Sequence, residues 1–161
     1  MAYPEPCSGN NYLVDHATLL ISSFRRLTGR DLVKKGGPGA GIETENARRL
    51  FEAPFSVVSH TTDTDPLFNY GNLTALRVFE LSWLEFTALP SRKSAEPMNR
   101  AERGQLLAAV SEQGYIDNYR GVRIASTGRR FVIEDATVWN LIDERGVNRG
   151  QAAVFKHWHD L

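Results

Sequence analysis

Leu67-Phe68-Asn69-Tyr70-Gly71-Asn72-Leu73-Thr74-Ala75-Leu76-Arg77-Val78-Phe79-Glu80-Leu81-Ser82-Trp83-Leu84-Glu85-Phe86 carries the instructions that decide the fold. Leu67 to Tyr70 reads as a short strand, and Gly71-Asn72 interrupts it. An Asn just ahead of an apolar run is a helix N-cap, because its side-chain oxygen accepts from a backbone N–H that the first turn leaves unpaired. Leu73, Leu76 and Phe79 then recur at threes on one helical face, flanked by Ala75 and Val78. Ser82-Trp83-Leu84-Glu85 has the Ser-x-x-Glu spacing of a capping box. A second short helix therefore opens at once and closes by Pro90.

Upstream of this stretch, Phe55 to His60 alternates as a strand, and the polar run Thr61 to Asp65 before Pro66 is a turn. A helix from about Thr44 buries Ala47, Leu50 and Phe51 and stops at Ala53, since Pro54 disfavours helical geometry in the residue before it. Lys34 to Gly41 holds four glycines around Pro38 and reads as a connector. Before it, Leu13, His16, Ala17, Leu20, Ile21, Phe24 and Leu27 form one face of a helix opposite Asp15, Thr18, Ser22 and Arg25, and Gly29 ends it. Residues 1 to 10 offer nothing periodic and are expected to fray.

Downstream, Asn99 caps a helix through Leu106, Leu107 and Val110 that closes at Gly114. The period then switches from 3.6 to 2. Tyr115 to Ser126, Arg129 to Ile142 and Val147 to Phe155 are long, rich in β-branched and aromatic residues, and separated by Thr127-Gly128 and Asp143 to Gly146. They predict an antiparallel meander. Two short early strands cannot stand alone, so the expected architecture is α+β: one five-stranded antiparallel sheet with the middle helices on one face. Residues 1–41 make a tail, amphipathic helix and glycine-rich connector, and residues 42–161 make the sheet domain.

The chain of 161 residues suits one domain that builds its core without staples. Lys+Arg and Asp+Glu are 19 each, so no global field draws in phosphate backbones or anionic lipid, and nucleic-acid and membrane partners are not expected. Cys7 alone cannot form an internal disulfide, which fits a reducing compartment. The first residues lack a basic start and an apolar run, and no 18 apolar residues are consecutive. A cytoplasmic location is the expectation.

The order of two strands, several short helices and three long strands resembles the PAS fold, and the strand, Asn-x-x-Ala-Leu-x-x-Phe helix and Ser-x-x-Glu helix of residues 67–86 look like its signature. Glu80 departs from it, standing where PAS sequences commonly have Gly. The runs Phe51-Glu52-Ala53-Pro54-Phe55, Val58-Ser59-His60, Phe68 to Asn72, Leu89-Pro90-Ser91-Arg92 with Ser94-Ala95-Glu96-Pro97, Gly114-Tyr115-Ile116-Asp117 and Ala136 to Asn140 resemble the bacterial stand-alone MEKHLA-domain proteins, from about Tyr12 to Trp158. That family is PAS-like, and a similar domain ends one class of plant homeodomain and leucine-zipper transcription factors. The resemblance implies sensing or protein interaction, and imports no chemistry and no DNA-binding segment.

A PAS-like sheet and its helices enclose a pocket, so polar residues at its edge are candidate ligand groups. His60 can donate, accept and change charge near neutral pH, or it ties strand end to turn. Asn69 and Tyr70 sit at the strand-to-helix junction, where a tyrosine hydroxyl reaches either a ligand or an internal partner. Arg92, in a loop with Ser91, can clamp a carboxylate or phosphate, or pair with Glu85 or Glu96. Tyr119, Phe131, Ile133 and Trp139 form an aromatic and aliphatic wall that suits a flat ligand or a plain core. His157 and His159 flank Trp158 next to Asp160, a pattern able to hold a divalent metal but more consistent with a loose tail, so no metal is expected. The cofactor is left open. Photosensory PAS domains carry a flavin-reactive cysteine in an Asn-Cys-Arg motif, and residues 87–114 contain neither Cys nor His.

The favoured reading is a non-enzymatic sensory or interaction module, with a small molecule or packing alone setting the sheet and a signalling protein reading it. The helix at Leu13 to Leu27 is the candidate seam of a homodimer through Leu20 and Phe24. The rival is a small isomerase or cyclase using the sheet as a cup, with His60 or Asp135 as general base and Tyr70 as donor. A third is a ligand-free scaffold whose pocket its own side chains fill.

Overall fold

The computed structural model describes residues 3–34, 36–37, 39–96 and 99–161. Lys35 and Pro38 of the connector, and Pro97 of the Ser94-to-Pro97 run, lie outside them. Among the described residues five α-helices, α1 Val14–Thr28, α2 Ile42–Glu52, α3 Leu73–Phe79, α4 Trp83–Thr87 and α5 Arg100–Gln113, and two short 3-10 helices at Ser8–Asn10 and Ser91–Ser94 accompany six strands: β1 Ser56–His60, β2 Phe68–Gly71, β3 Tyr115–Ile124, β4 Arg130–Ile142, β5 Asn148–Phe155 and β6 His157–Asp160. All pairings are antiparallel, in the order β2-β1-β5-β4-β3, with β6 joining β4. The two early strands thus lie edge to edge with the late meander, and α3, α4 and α5 are the insert between them.

Local chemistry explains the element ends. Gly29 takes φ 74° and returns its N–H to the Arg25 carbonyl, closing α1. Ser82 and Glu85 make the reciprocal capping box. Asn72, fully buried, does more than cap: its Oδ1 accepts from the Ala75 and Val57 N–H groups, while its Nδ2 donates to the Leu50 and Phe55 carbonyls. One amide therefore pins α2, β1 and α3 together. Glu80, where glycine is usual, adopts φ 58°, a conformation that glycine reaches without strain. Asn99 does not cap α5, because its own backbone is already helical in φ and ψ and its side chain makes no cap bond.

The sheet is covered on both faces. The insert lies on one, and α1 on the other, where Phe24 meets Trp139 edge to face at 4.9 Å and the Ser23 hydroxyl both donates to and accepts from the backbone of Ile142. Leu20 is 0% and Phe24 4% exposed. The face nominated as a dimer seam is therefore the protein's own roof over β4, a correction with a simple cause: β4 is apolar on both sides and needs a second cover. The expected loose tail is likewise a strand. Where β5 leaves β4 at Lys156, β6 takes up the pairing, with Trp158 opposite Ile133 and the Leu161 N–H on the Arg130 carbonyl.

Candidate functional site

Strand alternation separates two sets of side chains. Along β1, Val58 and His60 face α5, while Val57 and Ser59 face the opposite layer. The register carries each set across the sheet: His60 opposes Gln151, and Gln151 opposes Asn140. This polar row fastens α5. Gln151 Nε2 lies 3.1 Å from the Leu107 carbonyl, the Ser111 hydroxyl and Asn140 Oδ1, and Asn140 Nδ2 donates to the Val110 carbonyl at 3.0 Å. In the next row, Val58, Ala153 and Val138, the last two pack with Leu106 and Val110, while Val58 belongs to the main core cluster.

Between this face and the insert is a cavity of about 50 Å³. Its walls are mostly apolar, including Phe68, Phe79, Leu106 and Phe155, but three basic side chains also line it. His60, Arg103 and Arg123 are 8%, 9% and 8% exposed. The His60 Nδ1 lies 2.9 Å from the Thr61 carbonyl, so it carries the proton, and the buried Nε2 has no partner among the described residues. Burial, with the Arg103 charge as a lesser cause, lowers the His60 pKa to about 4. Arg123 donates to the Val122 carbonyl and the Tyr119 hydroxyl and sits over the Tyr119 ring at 5.5 Å. Among the described residues Arg103 makes no hydrogen bond or ion pair. Burial first and the Arg123 charge second lower its pKa to about 10.

Of the sequence-derived candidates, His60, Tyr119 and Ile133 line this cavity. The others are placed elsewhere. Tyr70 opposes Ser59 and so belongs to the α1 side, where its ring lies 5.5 Å from His16 and 6.0 Å from Trp83. Burial holds its phenol far above the ordinary tyrosine range. Asn69 sits where the β1–β2 register shifts, which turns its amide to the Ser59 hydroxyl at 2.5 Å. Trp139 opposes Ala152 and packs against α1. Arg92 pairs with Asp65 on the surface, not with Glu85 or Glu96. Asp135 is exposed on a β4 bulge at φ 52°, on the face away from His60. The groups named for an isomerase-like site thus do not converge. His159 approaches Glu134 at 4.0 Å, and among the described residues no three metal-ligating side chains come together.

Arg103, Arg123 and Gln151 were not singled out from sequence. Arg103 could have been: it stands at i, i+3 and i+7 with Leu106 and Val110, an arginine inside the apolar stripe of its helix. Arg123 is hidden by two register shifts in β3, around Tyr119, that defeat simple alternation.

Comparison with known proteins agrees with this geometry. The family model described as the MEKHLA domain matches residues 14–160. The Arabidopsis thaliana homeobox-leucine zipper protein ATHB-9 is 25% identical over 141 residues, covering 86% of this chain and 17% of that protein. ATHB-14 of the same plant is 27% identical over 97 residues, covering 60% of this chain and 11% of its own. The chain thus spans less than a fifth of the curated relatives it matches. Among solved structures, a PAS domain from Colwellia psychrerythraea superposes with TM-score 0.63 at 14% identity, over 74% of this chain and 97% of that one. The light-state dimer of the fungal blue-light photoreceptor Vivid gives 0.55 at 13% identity, over 84% and 90%. At such identities these two show the fold. The chain has a PAS-type fold and belongs to the MEKHLA domain family.

Proposed function

We propose that the protein is a non-enzymatic sensory or interaction domain whose state is set by a small molecule in the cavity between the sheet and α5. The observation that carries this reading is the lining: two guanidiniums, Arg103 and Arg123, and the neutral imidazole of His60, each less than a tenth exposed, open onto one small and mostly apolar space. A purely structural core has no use for such charge, because each buried ion costs several kcal/mol unless compensated. A flavin of the kind held by light-oxygen-voltage domains does not fit: pockets for such ligands occupy roughly 300 to 1,000 Å³, and α5 offers no cysteine. The purified protein is expected to be colourless. The reader of the signal is a protein partner in the cytoplasm. Self-association through α1 would use its polar outer face, Asp15, Thr18 and Arg25, since the apolar face covers β4.

Backbone amide NMR during titration with a panel of small charged and neutral metabolites tests this. Binding without turnover, with shifts centred on His60, Gln151 and α5, is the expected result. A panel that moves no amide, together with a native mass equal to that of the polypeptide, would sink it.

A further inference from the structure

We propose that the cavity is a site for a small hydroxycarboxylate, with Arg103 and Arg123 taking the carboxylate and His60 accepting from the hydroxyl. This rests on the reading of the cavity as a ligand site and goes further, to the chemistry of the ligand.

The argument begins with charge. Arg103 reaches the cavity from α5 and Arg123 from β3. Burial first, and then the charge of Arg123, lower the pKa of Arg103. Among the described residues no carboxylate pairs with either arginine, and exposed Glu102, next to Arg103 in sequence, accepts from the Tyr119 hydroxyl at 3.5 Å. Two guanidiniums without a carboxylate of their own form a fork for a planar anion, which they can engage through paired N–H donors.

The third group sets a second requirement. With Nδ1–H committed to the Thr61 carbonyl, His60 Nε2 presents a lone pair, and burial keeps the ring neutral at physiological pH. A lone pair selects a donor, and a buried acceptor left unmatched is what makes such a site reject an analogue lacking that donor. The ligand therefore carries a hydroxyl beside its carboxylate. Size and wall chemistry complete the description. About 50 Å³ admits a few waters or a very short acid, and the apolar walls accept its hydrocarbon part.

The test follows thermal unfolding and heat of binding with four probes at matched ionic strength: lactate, propionate (hydroxyl removed), lactamide (charge removed) and inorganic phosphate. Lactate should raise the melting temperature, with propionate and lactamide each at least tenfold weaker. Arg103→Met should abolish the lactate response and raise the melting temperature of the free protein, because it removes an unpaired buried charge; a merely structural arginine would do neither. Arg123→Gln should weaken lactate at least tenfold. Propionate equal to lactate would overturn the role of His60. Lactamide equal to lactate, or an Arg103→Met protein that still responds, would overturn the anion site while leaving the cavity as a ligand site. Phosphate binding without lactate binding would overturn the carboxylate. If none of the four binds and the NMR panel is silent as well, both readings fall.

Discussion

His16 of α1 donates its Nε2–H to the Ser59 hydroxyl of β1 at 2.9 Å, and Ser59 passes its own proton on to Asn69 Oδ1. The neighbouring residue on the strand, His60, faces the cavity on the other side of the sheet. Consecutive residues of β1 therefore belong to the two helical layers. A shift of β1 that alters one contact must strain the other.

Removing the Ser59 hydroxyl leaves a donor and an acceptor unpaired. Ser59→Ala should lose about 1–3 kcal/mol in urea unfolding. The double variant His16→Phe, Ser59→Ala should lose less than the sum of the singles, because the orphan disappears with its partner. Strict additivity would show that the bond does not couple the layers.

Burial lowers the pKa of both His16 and His60 to about 4, against 6.5 for an ordinary histidine. Between these values the unfolded chain binds protons that the folded chain refuses, so stability is full above pH 6.5 and declines as the pH falls toward 4. The slope is about 1.4 kcal/mol per pH unit for each histidine. His60→Gln should flatten the curve by one proton. An unchanged curve would mean that His60 titrates alike in both states.

Asn72→Asp keeps the two acceptor contacts, to Ala75 and Val57, and replaces the two donor contacts with repulsion against the Leu50 and Phe55 carbonyls. A loss of about 3 kcal/mol or more is expected, since the site is fully buried. A variant as stable as the parent by calorimetry would reduce Asn72 to a simple cap.

Leu20→Asp and Phe24→Asp each place a charge beneath the roof over β4. Both should abolish cooperative unfolding, with no intermediate stage of folded monomer in sedimentation. A folded, monodisperse variant would reopen this helix as an interface.

Gly150, at φ 143°, lets the His60 carbonyl approach where a Cβ would clash. Gly150→Ala should cost about 2–4 kcal/mol and weaken whatever binds beside His60. The paired control is Gly128→Ala, which has a positive φ but open space and should cost only about 1 kcal/mol.

Much of the architecture was legible because it rests on local rules. The Asn72 cap, the Ser82–Glu85 box and the switch to a period of two at Tyr115 each follow from neighbours in sequence. The site was less so. Which face of β2 Tyr70 occupies depends on one register shift between Ser59 and His60, and no residue type announces it. Trp139 could have lined either layer, since β4 is apolar on both sides. Leu32 and Val33 are in the core although they border the glycine-rich connector, a case where tertiary packing overrides local composition.

The buried amides of Gln151 and Asn140 hold α5 by main-chain carbonyls at Leu107 and Val110, past the middle of the helix. A helix gripped there cannot roll or slide without orphaning those amides. The same grip sets the turn that bears Arg103 against the sheet, so the place of that guanidinium in the cavity is inherited from two neutral amides.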